Sequence, residues 1–329
     1  MAEIPDYVYQ YHEDPNKVHA ILERADVVIA GSAPESLVRS CIRRGQLVLR
    51  YCERPLKNGL ELKKYLPRLI KWHWQNPFYK KIYLLCASAY TAEDYAKFGL
   101  FRGKAFKWGY FPETVVYDNI QSVIDTKEKT SILWVGRLLD WKHPDDAIRV
   151  AAKLKEKRVS FNLTLVGTGP MEAELRKMIA QWQLQDCVRL VGAMKPEQVR
   201  RCMELSQIFL FTSDRKEGWG AVLNEAMNSG CAVVASYQAG STPYLIKTEE
   251  NGLIYQSGDI DELTKHVLQL LNQGQEVARM GGKAYFSVVE MWNAELAAER
   301  LVELANSLWS GEYPAKWQEG PCSLARDEY

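Results

Sequence analysis

Several features that would assign this chain quickly are missing. None of its 329 residues falls in an apolar run approaching the roughly 18–20 that cross a bilayer. Met1–Pro15 shows neither the basic nor the apolar segment of a secretory leader. Cysteine is sparse and odd in number: seven, scattered from Cys41 to Cys322, with no C-x-x-C spacing and no neighbouring His pair. That excludes a disulfide framework and a zinc site and fits free thiols in a reducing compartment. Net charge is almost absent, 42 Lys and Arg against 41 Asp and Glu. There is no internal repeat, no low-complexity tract and no nucleic-acid-binding motif. The chain is 47% hydrophobic and 25% charged, which excludes disorder and collagen-like structure. A cytoplasmic protein is expected, working at the inner face of the membrane.

What is present is unevenly distributed. Residues 1–118 carry 18 Lys and Arg against 13 Asp and Glu, whereas the remainder carries 24 against 28. The positive surplus concentrates in 56–85. There Lys57, Lys63, Lys64, Arg68, Lys71, Lys80 and Lys81 face a single acid, Glu61, and Tyr65, Trp72, Trp74, Phe78 and Tyr79 lie among them. Lys64, Arg68 and Lys71 share one helical stripe, and Leu62, Leu66 and Leu69 another, with Pro67 at a start or kink. Cations interleaved with aromatics suit peripheral contact with an anionic bilayer. The same pattern also fits a solvated helix that packs its Trp residues on the core.

Strand and helix patterns alternate along the chain, the signature of parallel α/β layers. Strands are predicted at Tyr7–Tyr11, Asp26–Ala30, Leu47–Tyr51, Ile82–Ala87 and Ala105–Tyr110, with helices between them. Pro112–Thr130 breaks the pattern and places a linker at 119–130. The second half reads as a doubly wound unit of six short strands over 131–280. A closing helix at 281–309 packs back towards the first domain, and 310–329 forms a mobile tail.

Ligands bind such sheets beyond the carboxyl ends of the strands. Ser131–Val135 leads into Gly136-Arg137, with Lys142 five residues on. Asn162–Val166 leads into Gly167-Thr168-Gly169-Pro170, Val188–Val191 ends at Gly192, and Ile208–Thr212 precedes Glu217-Gly218-Trp219-Gly220 and Glu225. Glycines admit close backbone approach, and a helix start offers free N–H groups to a phosphate. Arg137 and Lys142 are fixed cations able to neutralise a diphosphate without a metal. Glu217 and Glu225 can accept from sugar hydroxyls. Asp259-Ile260-Asp261 looks like a metal-binding Asp-x-Asp, but it opens a helix and reads as a cap. Glu53, at the end of Leu47–Tyr51, faces the acceptor side.

Together these motifs resemble the donor-binding domain of the GT-B-fold glycosyltransferases of family four (glycosyl transferases group 1), over roughly Ser131–Leu308. The resemblance implies two Rossmann-like doubly wound domains and retaining transfer, by same-face attack, from a nucleoside-diphosphate sugar to a saccharide or lipid-linked saccharide in surface polysaccharide synthesis. It implies that Arg137 and Lys142 hold the diphosphate, Glu217 the donor hexose and Glu225 the ribose. Gly136, Gly167, Gly169, Gly192, Gly218, Trp219, Gly220 and Leu223 complete the donor site, and no cofactor or metal is required. The chain departs from the family at His143, where Gly is usual, and at Ala239–Tyr244, which replaces a Gly-Gly-x-Pro-Glu loop.

Two rivals share these features: a nucleotide-sugar epimerase or phosphorylase on the same fold, and a binding or scaffold protein without transferase activity. A further expectation concerns residues 1–118. Family members open with a strand–helix–strand whose first strand is central, and that unit is not legible here. The first domain is therefore expected to lack its start, the chain being a fragment, a product of a misassigned start site, or a natural variant completed by a partner chain.

Overall fold

Short apolar strands separated by amphipathic helices can pair in parallel only through crossover connections, and that is how the chain is built. The computed structural model describes residues 8–312 and 316–326. In the first half the elements are α1 Pro15–Arg24, β1 Val27–Ala30, α2 Glu35–Arg44, β2 Leu47–Cys52, α3 Leu62–Gln75, β3 Ile82–Cys86, α4 Thr91–Ala96 and β4 Ala105–Lys107. The second half comprises α5 Ile120–Asp125, β5 Glu128–Val135, α6 Pro144–Glu156, β6 Asn162–Val166, α7 Glu172–Gln181, β7 Val188–Leu190, α8 Pro196–Leu205 and β8 Ser206–Phe211. It continues with α9 Val222–Asn228, β9 Ala232–Ser236, α10 Thr242–Leu245, β10 Leu253–Tyr255, α11 Ile260–Asn272, α12 Gly274–Glu290 and α13 Ala294–Ser310. The strand expected at Tyr7–Tyr11 begins outside the described residues, and 8–11 are not strand.

The first sheet has the order β1-β2-β3-β4, all parallel. Because strands follow in sequence order, their connecting helices share one face. Val38, Cys41 and Ile42 of α2 pack there on Val48 and Ile82. Alternation in β2 turns Leu47 and Leu49 to the opposite face, which is covered by Leu304 and Leu308 of α13. The second layer of this domain thus comes from the far end of the chain.

The second sheet has the order β10-β9-β8-β5-β6-β7. Strands β5 to β7 are laid down in one direction and β8 to β10 in the other. The switch point therefore lies between β5 and β8, where such sheets open a ligand crevice.

Three expected boundaries differ. The linker placed at 119–130 is α5 and the first residues of β5. Ile120 and Ile124 pack on Tyr285 of α12, so this stretch belongs to the second domain. Buried Lys127 anchors it by donating to the carbonyls of Met203 (2.9 Å), Glu204 (3.1 Å), Ser206 (2.9 Å) and Ser229 (2.9 Å), where α8 and α9 end. The closing helix is two helices, broken at 291–293. There Trp292 is buried against Tyr244 and Trp219, and the Asn293 Oδ1 accepts from Leu296 N at 2.8 Å to start α13 in a new direction. The tail expected to be mobile is packed over 316–326. Leu324 pairs antiparallel with Phe106, Lys107 N donates to the Ser323 carbonyl (2.7 Å), and Cys322 N donates to that of Lys107 (2.8 Å). It thus covers the β4 edge.

Lys127→Met should lower stability by about 2–4 kcal/mol, since it leaves several buried carbonyls without their donor. Urea denaturation with an unchanged m-value would register the loss; an unaffected midpoint would show that the carbonyls find other partners.

Candidate functional site

The loops that follow β5, β6 and β7 are laced together. Gly136 N donates to the Val166 carbonyl (3.0 Å), Leu138 N to Thr168 (2.9 Å) and Gly167 N to Gly192 (2.8 Å). A side chain at Gly167, whose φ is +140°, would strike the Gly136 carbonyl, and one at Gly169 would strike Leu138. These two glycines let the loops stack, and Gly136 is the one that lines the cleft. Gly192 adopts φ +79° with open space about it.

The cleft at the switch point measures about 890 Å³. Lys142 reaches it from a short turn, Asp140–Lys142, that follows β5. Its carbonyl accepts from the Thr212 hydroxyl (2.7 Å), which in turn accepts from Trp134 Nε1 (2.9 Å). The next residue, His143, holds φ +48° and ψ +53°, a left-handed conformation. This explains why the resembling family uses Gly at that position. The Lys142 ammonium donates to Glu217 Oε2, which also accepts from the Ser213 hydroxyl at 3.1 Å. Both charged side chains are nearly buried, at 14% and 10% exposure. The backbone N–H groups of Gly218, Trp219 and Gly220 donate to no described residue.

Glu225 projects from α9 into the same cleft. Burial pushes its carboxyl above the usual range, and the Arg200 guanidinium opposes that shift. Arg200, on α8, donates to the Glu225 carbonyl (3.3 Å), Asn228 Oδ1 (3.0 Å) and the Ser229 hydroxyl (3.1 Å). Asn228 exchanges two 2.9 Å bonds with the backbone of Val115, which ties the interdomain crossing to the cleft wall.

The opposite wall comes from the first domain. Glu53, just after β2, accepts from the Tyr110 hydroxyl (2.7 Å) and pairs with Lys57 (2.5 Å). Its carboxylate lies directly over Gly218, where any side chain would collide with it. Burial, and then Glu53, hold the Tyr110 phenol well above its ordinary range.

The structure therefore brings together Gly136, Lys142, Glu217, Gly220, Glu225 and Glu53. Gly167, Gly169, Gly192 and Gly218 shape the surrounding backbone without lining the cleft, and three expected side chains lie elsewhere. Arg137 is exposed and lines no part of the cleft. The Trp219 ring is fully buried in the domain interface and donates to Asn224 Oδ1 at 2.9 Å, and Leu223 is core. Leu223 turns from the cleft because α9 must bury one face, and the Trp219 ring fills the space between the domains. Arg200, Tyr110 and Met194 line the cleft and carried no motif. Asp259 caps α11 through Glu262 N (2.8 Å), and Asp261 pairs with Lys153 (2.8 Å). His143, Asp145 and Asp146 bring ligand atoms within 4.8 Å of one another, but Arg149 already pairs with both acids at 3.0 Å.

The family model for glycosyl transferases group 1 matches residues 118–286, just over half of the chain. The chain belongs to the glycosyl transferases group 1 family. Among curated relatives it is 33% identical over 182 residues to the amylovoran biosynthesis glycosyltransferase AmsK of Erwinia amylovora, covering 54% of this chain and 44% of that one. It is 28% identical over 183 residues to the putative colanic acid biosynthesis glycosyltransferase WcaL of Escherichia coli K12, covering 54% and 45%. The chain spans about half the length of the curated relatives it matches. Among solved structures, Anabaena HepE in complex with UDP superposes with TM-score 0.69 at 16% identity, covering 88% of this chain and 81% of that one. TarM, an S. aureus protein, gives 0.66 at 20%, covering 88% and 57%. At these identities the likeness establishes the fold, two parallel-sheet Rossmann-like domains of GT-B type. The glycines and carboxylates of this group 1 chain thus sit on the expected frame.

Glu225 generates a pH prediction. Its folded pKa lies above the unfolded value of 4.5, so its stabilising contribution is complete below that value and disappears as pH rises through the folded one. Glu225→Gln should therefore match the parent near about pH 4 and exceed it at neutral pH. Urea midpoints across that range would check this, and a variant no more stable than the parent at neutral pH would refute it.

Proposed function

We propose that this chain is a retaining, metal-independent glycosyltransferase that moves a sugar from a nucleoside-diphosphate sugar to a saccharide or lipid-linked saccharide in surface polysaccharide synthesis. The observation that carries the reading is the cleft itself. Lys142 and Glu217 pair at the switch point, Glu225 lies on the adjoining helix, and Glu53 closes over Gly218 from the other domain. The polysaccharide assignment draws support from AmsK and WcaL, whose names place them in amylovoran and colanic acid biosynthesis. The nucleotide assignment draws support from HepE, solved with UDP.

In this reading the leaving diphosphate gathers negative charge as the glycosidic bond breaks, and Lys142 stabilises it. At an effective dielectric near 20, a cation about 4 Å away contributes about 4 kcal/mol. The free N–H groups of Gly218, Trp219 and Gly220 meet the sugar and phosphates, Glu217 orders the hexose hydroxyls, and Glu225 accepts from the ribose. Glu53, held by Tyr110 and Lys57, faces the acceptor. The reaction takes place at the cytoplasmic face of the membrane. A partner strand has a place at β1, which pairs only with β2 among the described residues.

Purified protein, labelled nucleotide sugars and a membrane extract provide the test. Transfer should survive EDTA, and Lys142→Ala should reduce turnover by about 10²–10³. Near-normal transfer by that variant would remove the clamp. Donor consumption without an acceptor would favour an epimerase or phosphorylase. Glu225→Ala should weaken binding of the bare nucleoside diphosphate in calorimetry, whereas Glu217→Ala should impair transfer more than that binding. Equal losses of affinity in the two variants would refute the division.

A further inference from the structure

Helix α3 is apolar on two faces, and the first domain covers one of them. Tyr65, Leu69 and Trp72 pack inward on Leu56, Phe98 and Leu100. Leu62, Leu66, Ile70 and Trp74 recur every four residues as a second stripe on the solvent side. They are exposed to 86%, 60%, 64% and 57%. Phe78 and Tyr79, just past the helix, continue the stripe at 81% and 72%. A row of large apolar side chains in water marks an interaction surface.

The border of the stripe is mostly positive. Lys63, Lys64, Lys71 and Lys81 are exposed beside it. Glu61, 2.8 Å from Lys64, is the only acid on 56–85. We propose that this face docks on an anionic lipid bilayer, with Leu62, Leu66, Ile70, Trp74 and Phe78 entering the headgroup–acyl boundary and the lysines meeting lipid phosphates. Fourteen residues make a helix about 21 Å long, too short to span the hydrocarbon core, so it lies in the interface plane. A second copy of the face is disfavoured, because pairing would bring its lysines together. The loop from β2 to α3 carries Glu53 into the cleft, and within it the Leu56 carbonyl accepts from Arg215 at 3.1 Å. The loop that leads into the docking helix thus also contributes to the cleft wall. The inference stands on the surface of α3, independently of the chemistry proposed above.

Sedimentation of the full chain with phosphatidylcholine vesicles, with and without phosphatidylglycerol, tests it. Binding should require phosphatidylglycerol and weaken as salt is raised. The double variant Leu66→Glu, Ile70→Glu should partition at least about tenfold less while keeping the parent's melting curve, because both side chains are exposed. A chain indifferent to anionic vesicles, or a variant that binds them equally well, would overturn the proposal. So would a dimer in sedimentation equilibrium that the same substitutions dissociate, since the face would then belong to a second copy.

Discussion

Three positions without side chains allow the two domains to meet. Gly109 leaves room for the Trp219 ring, Gly218 for the Glu53 carboxylate, and Gly240 for the Gly218 carbonyl and the Ser88 hydroxyl. Around them, Ala89 N donates to the Gly240 carbonyl at 2.8 Å, and the Ser241 hydroxyl donates to the Trp219 carbonyl at 2.6 Å. A carboxylate from one domain can stand over the backbone of the other only at van der Waals distance. That distance is available because no Cβ intervenes. Within the departing loop Ala239–Tyr244, Gly240 is the residue the interface requires, and Ala239, Ser241, Thr242 and Tyr244 are buried around it.

The second sheet was legible because its signals reinforce one another. Four of its strand ends run into a glycine or a charged residue, and the strand–helix period is regular. The site glutamates were legible through their spacing, Glu217 before α9 and Glu225 within it. What failed were the inferences that treat neighbours in sequence as neighbours in the cleft. Trp219 lies between two cleft glycines, yet its ring turns into the interface, because burying a large indole outweighs any contact it could make at the cleft. Leu223 faces the core for the same reason. Arg200 and Tyr110 had no signal, since a lone Arg on an amphipathic helix and a Tyr after a strand are ordinary residues.

Boundaries failed where long-range contacts decide them. A polar stretch with Asp118 and Asn119 reads as a linker, but Lys127 within it finds four carbonyls contributed by residues 203–229, which no local pattern reveals. The tail reads as mobile by composition, but β4 offers an unpaired edge that residues 316–326 cover. Helix α3 combined both sequence readings. Trp72 packs on the core and Trp74 on the outside, so one helix serves the domain and leaves a second apolar face in solvent.

The pair of Lys142 and Glu217 is the ion pair at the floor of the switch-point cleft. Each partner is nearly buried, and removing one would leave the other uncompensated, a loss of about 3–5 kcal/mol. On the proposed function, a diphosphate carrying more than one negative charge competes with the single carboxylate for Lys142. The stronger anion takes the ammonium. Glu217, still held by Ser213, is then left with acceptor capacity facing the cleft, where hydroxyl donors of a hexose can satisfy it. Binding the phosphate and freeing the carboxylate are thus one electrostatic event, which couples recognition of the nucleotide to recognition of the sugar.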